Sequence, residues 1–103
     1  MTAFNKLEAM GSFVAIVETG GISAAANRQN LAKSAVSRRL SDLETHLGVQ
    51  LMMRTTRRQT LTDSGKAYYE QCCRLLNDIN EVESAVAAQT RQLEGKLRIA
   101  APL

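Results

Sequence analysis

The chain has 103 residues, of which 45% are hydrophobic and only 4% are aromatic, and its formal net charge at pH 7 is +3. This length suits one small domain with an aliphatic core. The sequence contains neither an apolar run of about 18 residues, which would suggest a transmembrane helix, nor the basic and apolar segments of a secretory signal. We therefore expect a soluble, cytoplasmic protein.

The positive charge is concentrated in one part of the chain. Residues 23–62 carry seven basic and two acidic side chains, an excess of five positive charges, whereas residues 63–95 carry three basic and six acidic ones. This asymmetry predicts that the first stretch meets a polyanion and that the second does not. It also argues against a protein-interaction module in which this part of the chain is only a scaffold.

Two helices are predicted before the turn, and the second is short. Residues 4–19 place apolar side chains at helical spacing, in a stripe of Leu7, Met10, Phe13, Val14 and Val17. Gly20 and Gly21 should end this helix. Ser23 can then cap a second helix over residues 24–29, whose consecutive alanines suit close contact with neighbours.

The third predicted helix, residues 33–47, has two different faces. Its apolar face holds Val36, Leu40, Leu43 and Leu47, and its polar face holds Ser34, Ser37, Arg38, Ser41 and Thr45. An ordinary solvated face would carry long Glu and Lys side chains, whereas short hydroxyl side chains let a helix backbone approach base edges. Two helices joined by a tight turn, followed by Gly48, are therefore interpreted as a helix-turn-helix that reads the DNA major groove.

A β-hairpin is predicted next, with strands at residues 50–54 and 59–62. Its tip, residues 55–58, contains Arg57 and Arg58. A hairpin in this position forms a wing, and arginine at its tip would be attracted to a narrow minor groove. The alternative is a basic turn that is merely solvated.

The last predicted helix covers residues 63–92, with Thr62 as its cap. Gly65 is unusual so early in a helix and indicates a close contact. A heptad seam runs through Tyr68, Cys72, Leu75, Ile79, Val82 and Val86, which predicts a coiled-coil homodimer. Packing on another domain is the alternative. Gly95 should end the helix, and residues 96–102 should form the first strand of a further domain, with a tail strand as the alternative.

Little in the sequence favours an enzyme. The adjacent Cys72 and Cys73 are poorly placed for a disulfide with each other, and the single histidine, His46, is distant in sequence. The TDSGK segment at residues 62–66 lacks the glycine spacing of a phosphate-binding loop. We predict no catalytic residues, no metal site and no cofactor.

Taken together, these segments resemble the N-terminal region of the LysR-type transcriptional regulators of bacteria. The family's helix-turn-helix is similar to SAAANRQNLAKSAVSRRLSDLETHLGVQL at residues 23–51. Its wing and the start of its linker helix are similar to MRTTRRQTLTDSG at residues 53–65, and the start of its effector-binding domain to GKLRIAAP. The match covers nearly the whole chain, and this order is more specific than a winged helix alone.

The resemblance implies a mainly α protein with three domains. Residues 1–62 would form a winged helix-turn-helix of three helices and a β-hairpin wing. Residues 63–92 would form the long dimerisation helix, and residues 93–103 the start of an effector-binding domain. The implied partners are double-stranded DNA with an interrupted inverted repeat, a second copy of the chain, and RNA polymerase. A tetramer and a small-molecule effector would depend on the further domain.

The resemblance also assigns contacts to individual positions. Bases would be read from the start of the third helix by Lys33, Ser34, Ser37 and Arg38. Arg57 would enter the minor groove, while Arg54, Arg58 and Ser23 would contact the DNA backbone. The local excess of charge adds Arg28 and Arg39 as backbone contacts.

The chain departs from the family pattern just before the AVSR motif. The family often has Ser-Gln-Pro there, whereas this chain has Ala32, Lys33 and Ser34. Ala32 cannot provide a side-chain cap, and Lys33 more readily contacts guanine or phosphate than adenine. The family's base preference is therefore not carried over to this chain.

Overall fold

The computed structural model describes residues 4–54 and 59–100, and of Arg54 and residues 96–100 only the backbone. In chain order the elements are α1 (Lys6–Thr19), α2 (Ile22–Gln29), α3 (Lys33–Leu47), β1 (Met52–Arg54), β2 (Gln59–Leu61) and α4 (Asp63–Ala100). The chain divides into two compact units, one ending at Cys73 and the other beginning at Arg74. The predicted fold class, a mainly helical chain with three helices, a hairpin wing and a long helix, is confirmed.

Local capping sets the ends of α1. The helix begins at Lys6 rather than at the predicted Phe4, because Asn5 is its N-cap and its Oδ1 accepts from the Glu8 N–H at 3.0 Å. It ends where Gly20 takes a left-handed conformation with φ 93°, which a residue without Cβ adopts at little cost.

The second helix starts earlier than predicted. It begins at Ile22, with Gly21 at the N-cap position and no side-chain cap. The prediction that Ser23 caps this helix is wrong, because Ser23 already lies in its first turn. The helix ends at Asn30, which has a left-handed conformation with φ 58°.

The core lies where α1, α2 and α3 meet the start of α4. Its largest fully buried side chains are Phe13, Ile16, Leu40, Leu43, Leu51, Val36 and Cys72. The Phe13 ring centroid lies 5.7 Å from that of Tyr68, which is packed against the core from α4. Ala25 and Ala26 are buried, so α2 can approach its neighbours closely. Leu7 and Leu47, predicted to be buried, are 50% and 37% exposed.

The hairpin formed by β1 and β2 is called the wing below. It is antiparallel, with Met52 opposite Leu61, Met53 opposite Thr60, and Arg54 opposite Gln59. The strands are shorter than predicted, because Thr62 leaves β2 to cap α4 while Gln50 and Leu51 precede β1. The predicted tip at residues 55–58 lies outside the described residues.

The start of α4 agrees with the prediction. Thr62 Oγ1 accepts from the Gly65 N–H at 2.9 Å, which is the geometry of a side-chain cap. A Cβ atom on Gly65 would lie 2.0 Å from the carbonyl oxygen of Leu51. The close contact that was inferred from Gly65 is therefore confirmed.

The end of α4 differs from the prediction. The helix continues through Gly95 to Ala100, so the expected end near Gln92 is wrong, as is the expected strand from Lys96 for the residues up to Ala100. One interior glycine costs only about 1 kcal/mol relative to alanine, and the Leu, Glu, Lys and Arg residues around it are good helix formers. Within residues 4–54 and 59–100, no helix has the length and hydropathy of a membrane span.

The predicted heptad seam is divided between the two units. Cys72 is completely buried in the first unit, and Tyr68 is partly buried there against the core. Cys72 therefore offers no surface to a second chain, which corrects its assignment to the dimer seam, whereas Tyr68 keeps part of its surface exposed. In the second unit, Leu75, Ile79, Val82 and Val86 are 37–64% exposed.

Candidate nucleic-acid interface

One face of α3 is presented outward because the opposite face is buried. Val36, Leu40 and Leu43 are at most 1% exposed. Of the predicted base-reading residues, Ser34 and Arg38 are exposed on the other side. Lys33, exposed in the first turn, and Ser37, half-buried, lie between the two faces. At 3.6 residues per turn, positions 33, 34, 37 and 38 share one arc of the helix. The structure therefore brings the four predicted base-reading residues together.

The amino-terminal end of α3 has no side-chain cap. Ala32 occupies the N-cap position in an extended conformation and, as predicted, provides no side-chain hydrogen bond. The first N–H groups of a helix have no acceptor within the helix, and its dipole favours an anion there. The same holds for α2, where Gly21 provides no cap and Ser23 is exposed in the first turn. Both helix ends are chemically suited to phosphate oxygens.

Two of the predicted DNA-binding arginines are held by exposed ion pairs. Arg38 Nε lies 3.9 Å from Asp42 Oδ2, with 78% of the Arg38 side chain exposed. Arg28 Nη1 lies 2.6 Å from Glu18 Oε1, with side-chain exposures of 50% and 42%. Exposed pairs contribute about 0–1 kcal/mol, so either arginine can move to a phosphate or a base at little cost.

Arg39 has partners within the protein that the sequence analysis does not predict. Its Nη2 donates to Glu8 Oε2 and its Nη1 to Ser12 Oγ, both at 3.3 Å. Ser12 is completely buried and donates to Gln29 Oε1 at 2.7 Å. Position 39 borders the buried face of α3, so its guanidinium connects α3 to α1, and through Ser12 to α2. No sequence signal indicated this contact, because Ser12 lies outside the predicted apolar stripe of α1, on a side of the helix where Ala9 and Ile16 are also buried.

The described part of the wing contains its base but not its tip. Arg57 and Arg58 lie outside the described residues, and Arg54 ends β1 without a described side chain. Their contacts with DNA stay predictions. At the base, Glu44 Oε2 accepts from the N–H of Leu51 at 2.7 Å and from that of Met52 at 3.3 Å. Glu44 was not identified from the sequence, because its partners are backbone N–H groups that follow the end of α3 by several residues and form no sequence pattern with it.

The titratable groups beside the core have the properties of structural residues. Burial, with smaller effects of Cys72, raises the pKa of Tyr68 to about 12. A hydrogen bond with Cys73, with burial and Glu18, raises the pKa of Tyr69 to about 12. Burial also raises the pKa of Cys72, so this thiol stays protonated and unreactive. In the part of the chain that the structure describes, no three His, Cys, Asp or Glu side chains are grouped to hold a metal ion.

Comparison with known proteins identifies this arrangement. The family model described as bacterial regulatory helix-turn-helix protein, lysR family, matches residues 7–66. An HTH-type transcriptional repressor of Pseudomonas aeruginosa is 45% identical over 95 residues, which are 92% of this chain and 30% of that protein. An HTH-type transcriptional regulator of Xanthomonas campestris is 46% identical over 90 residues, which are 87% of this chain and 26% of that protein.

Solved structures of DNA-bound proteins have a similar fold. The crystal structure of the BenM_DBD/catB site 1 DNA complex is similar with a TM-score of 0.77 and 28% identity, over 96% of this chain and 99% of that one. That of the CbnR_DBD-DNA complex also has a TM-score of 0.77, with 29% identity over 84% of this chain and 99% of that one. The chain spans about 30% of the length of the curated relatives. Because the family model matches more than half of the chain, at the helix-turn-helix and wing described above, this chain belongs to the LysR family of bacterial regulatory helix-turn-helix proteins.

Proposed function

We propose that this chain binds double-stranded DNA sequence-specifically and regulates transcription, as a dimer on an interrupted inverted repeat. The observation that carries the proposal is the outward surface of α3, where Lys33, Ser34, Ser37 and Arg38 share one arc of a helix whose Val36, Leu40 and Leu43 are buried. Solved structures of similar chains are DNA complexes. The function belongs in the cytoplasm, where bacterial DNA lies, and it requires no catalytic residue.

Within this proposal, specificity and affinity come from different residues. Lys33, Ser34, Ser37 and Arg38 read base edges, and a good bidentate contact contributes about 1–3 kcal/mol of base discrimination. Sequence-independent phosphate contacts come from Ser23, Arg28, Arg54 and Arg58, and Arg57 enters the minor groove. Arg39 stays a proposed backbone contact, and to make it the guanidinium would have to exchange its hydrogen bonds to Glu8 and Ser12 for a phosphate.

The proposed dimer forms through the second unit. Leu75, Ile79, Val82 and Val86 continue the heptad spacing, and all four are exposed in the single chain. An exposed apolar seam of this kind favours association with a second helix. A dimer also sets the distance between two half-sites, about one helical turn of DNA or a multiple of it.

The test is selection from a randomised duplex library with the 103-residue chain, sequenced after several rounds at moderate salt. Enrichment of an interrupted inverted repeat is expected, and it would give the half-site and the spacing together. A single enriched half-site would retain the DNA reader but contradict the dimer. Binding without any enrichment, weakening steadily with salt, would contradict sequence-specific recognition and leave only a basic surface.

A further inference from the structure

The peptide groups of Leu51 and Met52 join three functional elements of the first unit. The N–H of Leu51 donates to Glu44 on α3, and its carbonyl accepts from the Thr62 N–H at 3.0 Å. Gly65 of α4 lies against the same carbonyl, where a Cβ would be 2.0 Å away. Both side chains here, Leu51 and Met52, are at most 3% exposed. The carboxyl end of α3, the base of the wing and the start of α4 therefore meet at one place.

Glu44 makes two kinds of contact at this place. Its backbone carbonyl accepts from the Gly48 N–H at 2.8 Å, the bond that ends α3. Its side-chain Oε2 accepts from the N–H groups of Leu51 and Met52 at 2.7 and 3.3 Å. One residue thus ends the helix and also holds the first residues of the wing.

The position of this carboxylate is unfavourable for the helix alone. Glu44 lies in the last turn of α3, where the negative end of the helix dipole disfavours an anion. The Glu44 carboxylate is stabilised instead by the two N–H donors, because hydrogen bonds to an ionised acceptor are stronger than those between neutral groups. Without the side chain, two N–H groups of a buried segment would lack this acceptor, which is costly.

We propose that Glu44 is a positioning residue, which fixes the base of the wing to the helix that reads the bases and so sets where the wing meets DNA. The proposal rests on the proposed DNA-binding function, because a fixed angle between wing and helix matters only when both contact one duplex. If the wing moved freely, ordering it on DNA would cost conformational entropy, and its contacts with DNA would be weaker. The base contacts of α3 would be unchanged.

The test uses three variants of the 103-residue chain: Glu44→Ala, Glu44→Gln and Glu70→Ala. Glutamine retains an oxygen that can accept from both N–H groups. Glu70 is exposed on α4, so Glu70→Ala reproduces the change in net charge away from the wing. Each protein is titrated with the selected inverted repeat, with the same repeat whose flanking A·T steps are G·C, and with single-base changes inside the half-sites.

In Glu44→Ala the preference for A·T flanks should fall by about 2- to 10-fold, which corresponds to the net contribution of one hydrogen bond. Its base preference inside the half-sites should be unchanged, and Glu44→Gln and Glu70→Ala should keep the flank preference. A Glu44→Ala protein that keeps the flank preference would overturn the proposal, as would an unsubstituted chain that reads half-sites but ignores the flanks. An unsubstituted chain with no base preference at all would instead remove the proposed function.

Hydrogen exchange gives a second measurement that does not depend on folding of the alanine variant. The amides of Leu51 and Met52 should exchange slowly in the unsubstituted chain and in Glu44→Gln, because both have an acceptor on α3. If Glu44→Ala does not fold, fast exchange of these two amides in the unsubstituted chain would still overturn the proposal.

Discussion

Replacing Gly65 by alanine should destabilise the first unit. The added carbon would lie 2.0 Å from the Leu51 oxygen, and 3.0 Å from both the Leu51 carbonyl carbon and Leu61 Cδ2. The nearest of these atoms is backbone and accepts from the Thr62 N–H, so no side-chain rotation relieves the overlap. Overpacking costs about 1–3 kcal/mol and a strained hydrogen bond about 1 kcal/mol. Alanine regains up to about 1 kcal/mol of helix propensity, which leaves a net loss of roughly 1–3 kcal/mol.

Thermal unfolding followed by far-ultraviolet circular dichroism measures this loss. For a domain of this size, each kcal/mol should lower Tm by about 4–8 °C. Gly95→Ala is the matched control, because Gly95 lies in the same helix and a Cβ there would have no heavy atom within 4 Å apart from its chain neighbours and the nearby helix backbone. The control should keep or raise Tm. A Gly65→Ala protein as stable as the Gly95→Ala protein would refute the argument from close contact.

Three further predictions concern DNA reading, dimerisation and alkaline stability. Arg38→Ala should relax specificity at one base pair per half-site, by about 1–3 kcal/mol; library selection with an unchanged motif would contradict it. Ile79→Asp should abolish the dimer in analytical ultracentrifugation because it places a charge on the apolar seam, whereas Asn80→Asp, off the seam, should not. The raised pKa values of Tyr68 and Tyr69, about 12 against 10.0, mean that the folded state holds both phenolic protons more tightly. Stability should therefore be fully present below about pH 10 and fall as the pH rises towards 12; an absorbance titration of the folded chain with its midpoint near 10 would contradict this.

The elements predicted well were those whose signals are local. Both ends of α3 were predicted correctly, since the apolar period and Gly48 lie within or beside the helix itself. The cap by Thr62 and the close contact of Gly65 were predicted for the same reason. The end of α4 was missed because Gly95 is only a weak helix breaker, and its cost is small beside that of a proline.

Other contacts could not be predicted because they depend on distant parts of the chain. Arg39 contacts Ser12 and Glu8, which precede it by 27 and 31 positions, so no local pattern indicates these two hydrogen bonds. A heptad pattern has the same spacing whether it packs on its own domain or on a second chain. For this reason the pattern includes Cys72, which is completely buried in the first unit.

The two neighbouring cysteines differ in exposure, so their reaction with a thiol reagent can measure local unfolding of the chain. Cys72 has no exposed surface and a pKa raised by burial, whereas the neighbouring Cys73 is partly exposed. A thiol-specific reagent should therefore modify Cys73 in the native protein and reach Cys72 only when the start of α4 separates from the core. The rate at which the second thiol reacts then gives the frequency of that opening without any engineered label, and it can be compared with and without DNA.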